Sequence, residues 1–125
     1  MSNPKILIIN TSSTEAHPLQ GIFCKSFLCR LKGLMFQKSI APDFGLLLAG
    51  DGESRLNAAI HMFFMNFDIA VIWLDHNYQV VDIQLAKKGH ALYTPASPAQ
   101  FTLETAAANL SCFHVGDYLQ VSYVP

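Results

Sequence analysis

Charge is scarce in this 125-residue chain. Asp, Glu, Lys and Arg make up 14% of it, and the formal net charge is -1 with histidines neutral. No run of Lys or Arg stands out, which argues against nucleic acid and against anionic membrane surfaces as partners. Glycine-rich phosphate loops of the Walker or Rossmann type are missing, and Ser12-Ser13 lie in no Gly-x-Ser-x-Gly elbow. No two histidines stand at His-x-His spacing or at the spacing of a zinc-peptidase helix, so neither metal nor cofactor is expected. Cysteines are few and odd in number: Cys24, Cys29 and Cys112. That count argues against a disulfide framework, and the four residues between Cys24 and Cys29 match no zinc knuckle. Three reduced, buried thiols are the expectation. The early apolar run, Ile6 to Ile9, is too short for an export signal. The longest apolar segment, Ala58 to Leu74, is broken by His61, Asn66 and Asp68 and is marginal for a membrane span. A soluble, cytoplasmic protein follows as the expectation.

What the chain has is apolar surface. Hydrophobic residues make up 51% of it, enough for one domain spanning 1–125 with a real core. "KILIIN" from Lys5 reads as a first strand, and Ile22 to Cys24 as a short second one. Ser26 is placed to cap a helix through Leu31 or Lys32 that Gly33 stops, with Phe27, Leu28 and Leu31 as its buried face. Leu46 to Leu48 predicts a buried strand. "GDGESRLN", Gly50 to Asn57, predicts an exposed, mobile loop that proteases cut early. The aromatic and β-branched residues from Ala59 to Leu74 predict two buried strands in series. Val81, Ile83 and Leu85 alternate with polar residues, as in a half-exposed antiparallel strand. Phe101 to Glu104 predicts a strand, and Thr105 to Leu110 a short helix capped by Thr105. Gly116-Asp117 predicts a turn, and Tyr118 to Val124 a closing strand. The fold class is mainly β (α+β): a β-barrel or sandwich-like sheet with one or two short helices.

Several pieces then fall into a known order. "RLKGLMF" (Arg30 to Phe36), "DFGLLL" (Asp43 to Leu48), "IHMFFMNFDIAVIWLD" (Ile60 to Asp75), "FTLE" (Phe101 to Glu104) and "VGDYL" (Val115 to Leu119) together resemble the domain of unknown function 192 family. The resemblance covers about 26–121 and implies a β-rich core without an assigned reaction or ligand. Met62 stands where that family often has Thr, Asp68 where Pro is common, Ala70 where Asp is common, and Ala107 where Gly is usual. Asn66 replaces an Arg or other polar residue. If the missing Asp carried chemistry, Asp68 is two residues earlier and so on the same strand face.

The polar residues in the apolar stretch are the candidate site. His61 can move protons or bind metal, but a half-buried histidine bonded to backbone is the commoner arrangement. As a regular strand, the stretch would point His61, Phe63, Met65 and Phe67 to one side and Met62, Phe64, Asn66 and Asp68 to the other, which disfavours a His61–Asp68 dyad. Asn66 and Asp68 are expected at an exposed edge and His61 inward, because an unpaired buried carboxylate is costly. Arg30 either presents its guanidinium to an anion or makes a salt bridge with a partner such as Glu104. Glu104 is either a raised-pKa acid or a helix cap, and Asp117 is turn chemistry. No established catalytic motif is present; His61, Glu104 and Asp68 are the weak candidates. The leading reading is a non-enzymatic ligand-binding or accessory domain whose pocket gathers Arg30, Met35, Phe36 and His61. Its partner would be an unknown small molecule or protein. Alternatives are a small hydrolase or lyase using His61 with an acidic residue, and a structural homodimer joined through exposed Phe63, Phe64 and Phe67.

Overall fold

Alternating apolar residues in a strand must bury one face, and here two faces of one sheet are buried. The computed structural model describes residues 3–125. It holds seven strands: β1 Lys5–Asn10, β2 Leu19–Cys24, β3 Phe44–Ser54, β4 Ile69–Leu74, β5 Val80–Ala86, β6 Ala99–Ala106 and β7 Leu119–Tyr123. A short helix, α1 (Phe27–Lys32), links β2 to the segment before β3, and a 3-10 helix covers Ala107–Cys112. The strands form one mixed sheet in the order β5-β4-β6-β3-β2-β1-β7. Only the β2–β3 pair is parallel among the described strands. The sheet does not close into a barrel: among the described residues an isolated bridge, Gln79 to Tyr118, forms just ahead of the end strands β5 and β7, which do not pair with each other.

Central β4 shows why the sheet needs two cores. All six of its residues are buried. Ala70, Ile72 and Leu74 join Ile8, Leu47, Leu103 and Phe113 on one face. Ile69, Val71 and Trp73 join Leu46, Leu48, Met62 and Met65 on the other. Strand alternation divides the residues this way. The second face is covered by irregular chain, 33–43 and 55–68, and that cover carries the site.

Five sequence expectations are corrected by the fold. Cys24 and Cys29 are joined by a disulfide, because the end of β2 and the first turn of α1 bring their Cα atoms to 5.6 Å, within bridging range. Cys112 is free and half-buried rather than buried. No residue of α1 is buried: Phe27, Leu28 and Leu31 face solvent, because the disulfide of Cys29 and the Arg30 bond to β3 turn the opposite side inward. The loop expected at Gly50 to Asn57 is in strand as far as Ser54, which pairs with Ala99 beyond a register shift after Ala49. Its tip is held by Glu53, which accepts from the His76 backbone N–H at 3.0 Å, and Arg55 Nε donates to the Pro95 carbonyl at 3.0 Å. The helix expected from Thr105 begins instead at Ala107 as a 3-10 turn. Thr105 ends the β6 face, where its Oγ1 donates to the Phe44 carbonyl at 2.7 Å and accepts from Asn109 at 2.9 Å.

The central stretch is the fifth. Of Ala59 to Leu74 only Ile69–Leu74 is strand, so the two-face reading of His61 to Asp68 does not hold. The segment turns at Met62–Met65, where the Met65 N–H donates to the Met62 carbonyl, and Phe64 has φ +61°. Its polar residues answer for its irregular backbone. His61 Nε2 donates to the Leu31 carbonyl at 3.2 Å, and Asn66 Nδ2 donates to the Gln37 carbonyl at 2.7 Å. Asp68 Oδ1 accepts from the Lys88 N–H at 2.9 Å. Each side chain ties the apolar loop to a different segment that no strand ladder reaches.

Candidate ligand-binding site

Glu104 is carried on β6 on the face that packs under the irregular cover. Register places it in a row across five strands: Ile22, Leu46, Glu104, Val71 and Gln84. Its immediate cross-strand neighbours are thus Leu46 and Val71, both buried and apolar. Glu104 itself is 5% exposed. Burial pushes its carboxyl up from 4.5 to about 7. It neither caps a helix nor pairs with Arg30: no ion pair joins the two among the described residues.

Arg30 enters the same space from α1. The Ser26 hydroxyl caps that helix by accepting from the Cys29 N–H at 3.2 Å, and Gly33 stops it with φ +50°. Arg30 Nη1 donates to the Ala49 carbonyl at 3.1 Å, where the β3 register shifts. Its Nε is buried without a partner. Gly33 permits the approach of helix end to sheet: a Cβ there would lie 3.3 Å from Glu104 Oε1. The cover is fixed from below by Trp73, whose Nε1 donates to the Ala58 carbonyl at 2.8 Å.

Between these elements lies a cavity of about 80 Å³. Arg30, Gly33, Met35, His61, Thr102 and Glu104 line it, with backbone from Ala49 and Ala58. Arg30, Met35 and His61 of the four expected binding residues therefore converge. Phe36 does not line the cavity; it is exposed and stacks on Phe64 at 5.1 Å. Asp68 is also outside it. His61 has both ring nitrogens engaged: Nδ1 accepts from the Phe63 N–H at 3.3 Å while Nε2 donates to Leu31. With both nitrogens bonded to backbone, the imidazole ties α1 to the loop. Asp117 holds a turn, accepting from Asn10 Nδ2 at 2.8 Å and the His114 N–H at 2.9 Å.

The sequence reading had no sign of Gly33 or Thr102 as lining residues; the glycine showed only its helix-stop role. A wider open groove of about 620 Å³ runs past Ile22, Cys29, Leu34, Ile40 and Phe44. Its walls are mostly apolar, and it contains neither Glu104 nor Arg30. The smaller cavity is the better candidate because a buried donor in it, Arg30 Nε, lacks a partner, whereas volume alone specifies nothing. Among the described residues no cluster of three or more His, Cys, Asp or Glu could hold a metal ion. No helix among them is long and apolar enough to cross a membrane.

Comparison with known proteins places this architecture. The chain is 38% identical over 119 residues to a UPF0127 protein of Thermococcus kodakarensis, covering 95% of this chain and 74% of that one. It is 31% identical over 115 residues to a UPF0127 protein of Pyrococcus furiosus, covering 90% and 96%. A solved chain from Sinorhizobium meliloti 1021 has the same fold, with a TM-score of 0.82 at 20% identity over 97% of this chain and 96% of that one. The sequence model of DUF192, described as "Uncharacterized ACR", matches residues 8–121. The ordered motifs from Arg30 to Leu119 are thus parts of one sheet and its cover, and the chain belongs to the domain of unknown function 192 family.

Proposed function

We propose that the protein is a small-molecule-binding domain whose cavity takes the carboxylate head of its ligand. One observation carries the reading: Arg30 Nε is buried and unpartnered at the wall of the cavity that the largely buried Glu104 also lines. Native proteins rarely leave such a donor unsatisfied, because it costs about 1–3 kcal/mol or more. A carboxylate engages both residues at once. One oxygen accepts from Arg30 Nε–H, and the other accepts from the proton that Glu104 retains near neutrality. The cavity has roughly the volume of three waters, so it suits a head group rather than a whole metabolite.

Protonation sets the direction of the test. Ionised Glu104 repels an anion, so affinity for formate or acetate should fall about tenfold per pH unit above the carboxyl's pKa. Amide chemical-shift titration with formate at pH 6 and pH 8 reads this, with perturbations expected around Gly33, Ala49 and Glu104 at the lower pH. Glu104→Gln should remove the pH dependence. Uniform small shifts across the chain, or binding indifferent to pH, would sink the proposal. A hydrolase using His61 has less support, since both imidazole nitrogens are occupied.

A further inference from the structure

The molecule exposes apolar side chains where its sequence predicted a buried helix face. Phe27, Leu28, Leu31, Phe36, Phe63 and Phe64 are between 48% and 73% exposed. They belong to two segments that the fold laces together. The Phe36 N–H donates to the Phe64 carbonyl at 3.0 Å, and their rings stack at 5.1 Å. The His61 ring bonds the Leu31 carbonyl and stacks on Phe63 at 5.5 Å. Phe36 and Phe64 both hold positive φ, +66° and +61°, a conformation bulky side chains disfavour. An apolar surface of this kind marks an interaction site.

Charge around it is mostly positive. Residues 16–42 carry Lys25, Arg30, Lys32 and Lys38 and no carboxylate, so with the whole chain at -1 the remainder stands at -5 (-1 minus +4). The turn bearing Lys87 and Lys88 is bound to the same loop: the Gly89 N–H donates to the Met62 carbonyl, and the Met62 N–H to that of His90. Lys32, Lys38, Lys87 and Lys88 are all exposed. One carboxylate, Asp68, stands beside these lysines and accepts from the Lys88 backbone N–H. No basic run exists in the sequence; the basic rim is assembled by the fold.

We infer that this face docks onto an anionic lipid bilayer, with the aromatic and leucine side chains entering the interface and the lysines meeting lipid headgroups. An apolar centre with a basic rim is the pattern of interfacial binding. A second copy of the chain fits worse, since two-fold pairing through this face would set like-charged rims against each other. A bilayer also fits the surface: apart from Leu31, these side chains line neither the cavity nor the groove described above, and a fluid interface needs no matching surface.

Co-sedimentation with vesicles of phosphatidylcholine, with and without phosphatidylglycerol, tests the inference. Binding is expected on the anionic vesicles only, and raised salt should weaken it. Phe64→Asn keeps a residue that tolerates positive φ and should weaken binding with little change in melting temperature. The double variant Lys87→Glu, Lys88→Glu should weaken it by roughly tenfold or more. Failure to bind anionic vesicles would overturn the inference. So would equal binding to neutral vesicles, or a dimer in sedimentation velocity that Phe64→Asn dissolves.

Discussion

Glu104 makes the protein's stability depend on pH in a direction opposite to that of most carboxylates. Its pKa is raised from 4.5 to about 7 because burial beside Leu46 and Val71 disfavours its charged form. The folded state then holds the proton more tightly than the unfolded chain does. Its contribution is fully present below the unfolded value, is lost as pH rises from about 4.5 to about 7, and changes little above that. The shift corresponds to about 3 kcal/mol. Urea unfolding should show the wild type losing stability of that order between mildly acidic and mildly alkaline pH. Glu104→Gln, neutral throughout, should flatten this part of the profile. A parallel profile in the variant would mean that the carboxyl is solvated in the folded state.

At the scale of the element, α1 is held by few bonds. It buries no residue, so hydrophobic packing does not retain it. Its attachments are the Cys24–Cys29 disulfide, the Arg30 bond to Ala49 and the His61 bond to Leu31. The disulfide closes a short loop and should contribute about 2 kcal/mol through the chain entropy of the unfolded state. Reduction, or Cys24→Ser with Cys29→Ser, should lower stability by about that amount. Amide exchange should accelerate most in 26–33, and Arg30 should lose its fixed place in the cavity. If exchange there stays as slow as in β2, the two polar bonds alone hold the helix. The bonded pair also overturns the expectation of three reduced thiols that the odd cysteine count supplied.

Across the whole molecule, the sheet is two antiparallel groups joined along one line. β7, β1 and β2 form one group and β3, β6, β4 and β5 the other, and the parallel β2–β3 pair joins them. Gly21 and Gly45 face each other in that join. A Cβ on Gly21 would fall 1.7 Å from the Gly45 carbonyl oxygen, a contact that only backbone movement relieves. Gly21→Ala should therefore cost more than about 4 kcal/mol, among the largest single-substitution effects. Gly52→Ala, at a position with nothing within 4 Å, is the matched control. Circular dichroism of the two variants under urea decides: equal midpoints would show that the join opens without penalty.

Local pattern was enough for some of this. The β-rich apolar run "KILIIN" and the alternation in Val81 to Leu85 and in Leu119 to Tyr123 identified β1, β5 and β7, since run and period are properties of neighbouring residues. Ser26 and Gly33 identified the ends of α1 for the same reason: a cap is a contact between near neighbours. The β-rich class followed from these, and the backbone-bonded state of His61 from the commonest fate of such a residue. The tertiary structure alone decided which strands adjoin, that β2 and β3 run parallel, and that Cys24 meets Cys29. It also decided that Phe27, Leu28 and Leu31 face outward. Apolar composition predicted strand at Ile60 to Asp68, but composition does not count backbone partners; with no neighbouring strand there, the chain turned and used His61, Asn66 and Asp68 to reach other segments. The site was legible in part: residue chemistry picked out Arg30, Met35 and His61 as one pocket and Glu104 as a raised-pKa acid. That Glu104 joins Arg30 in the same cavity, and Phe36 does not, is a consequence of sheet register and helix placement, which distant contacts set and local sequence does not encode.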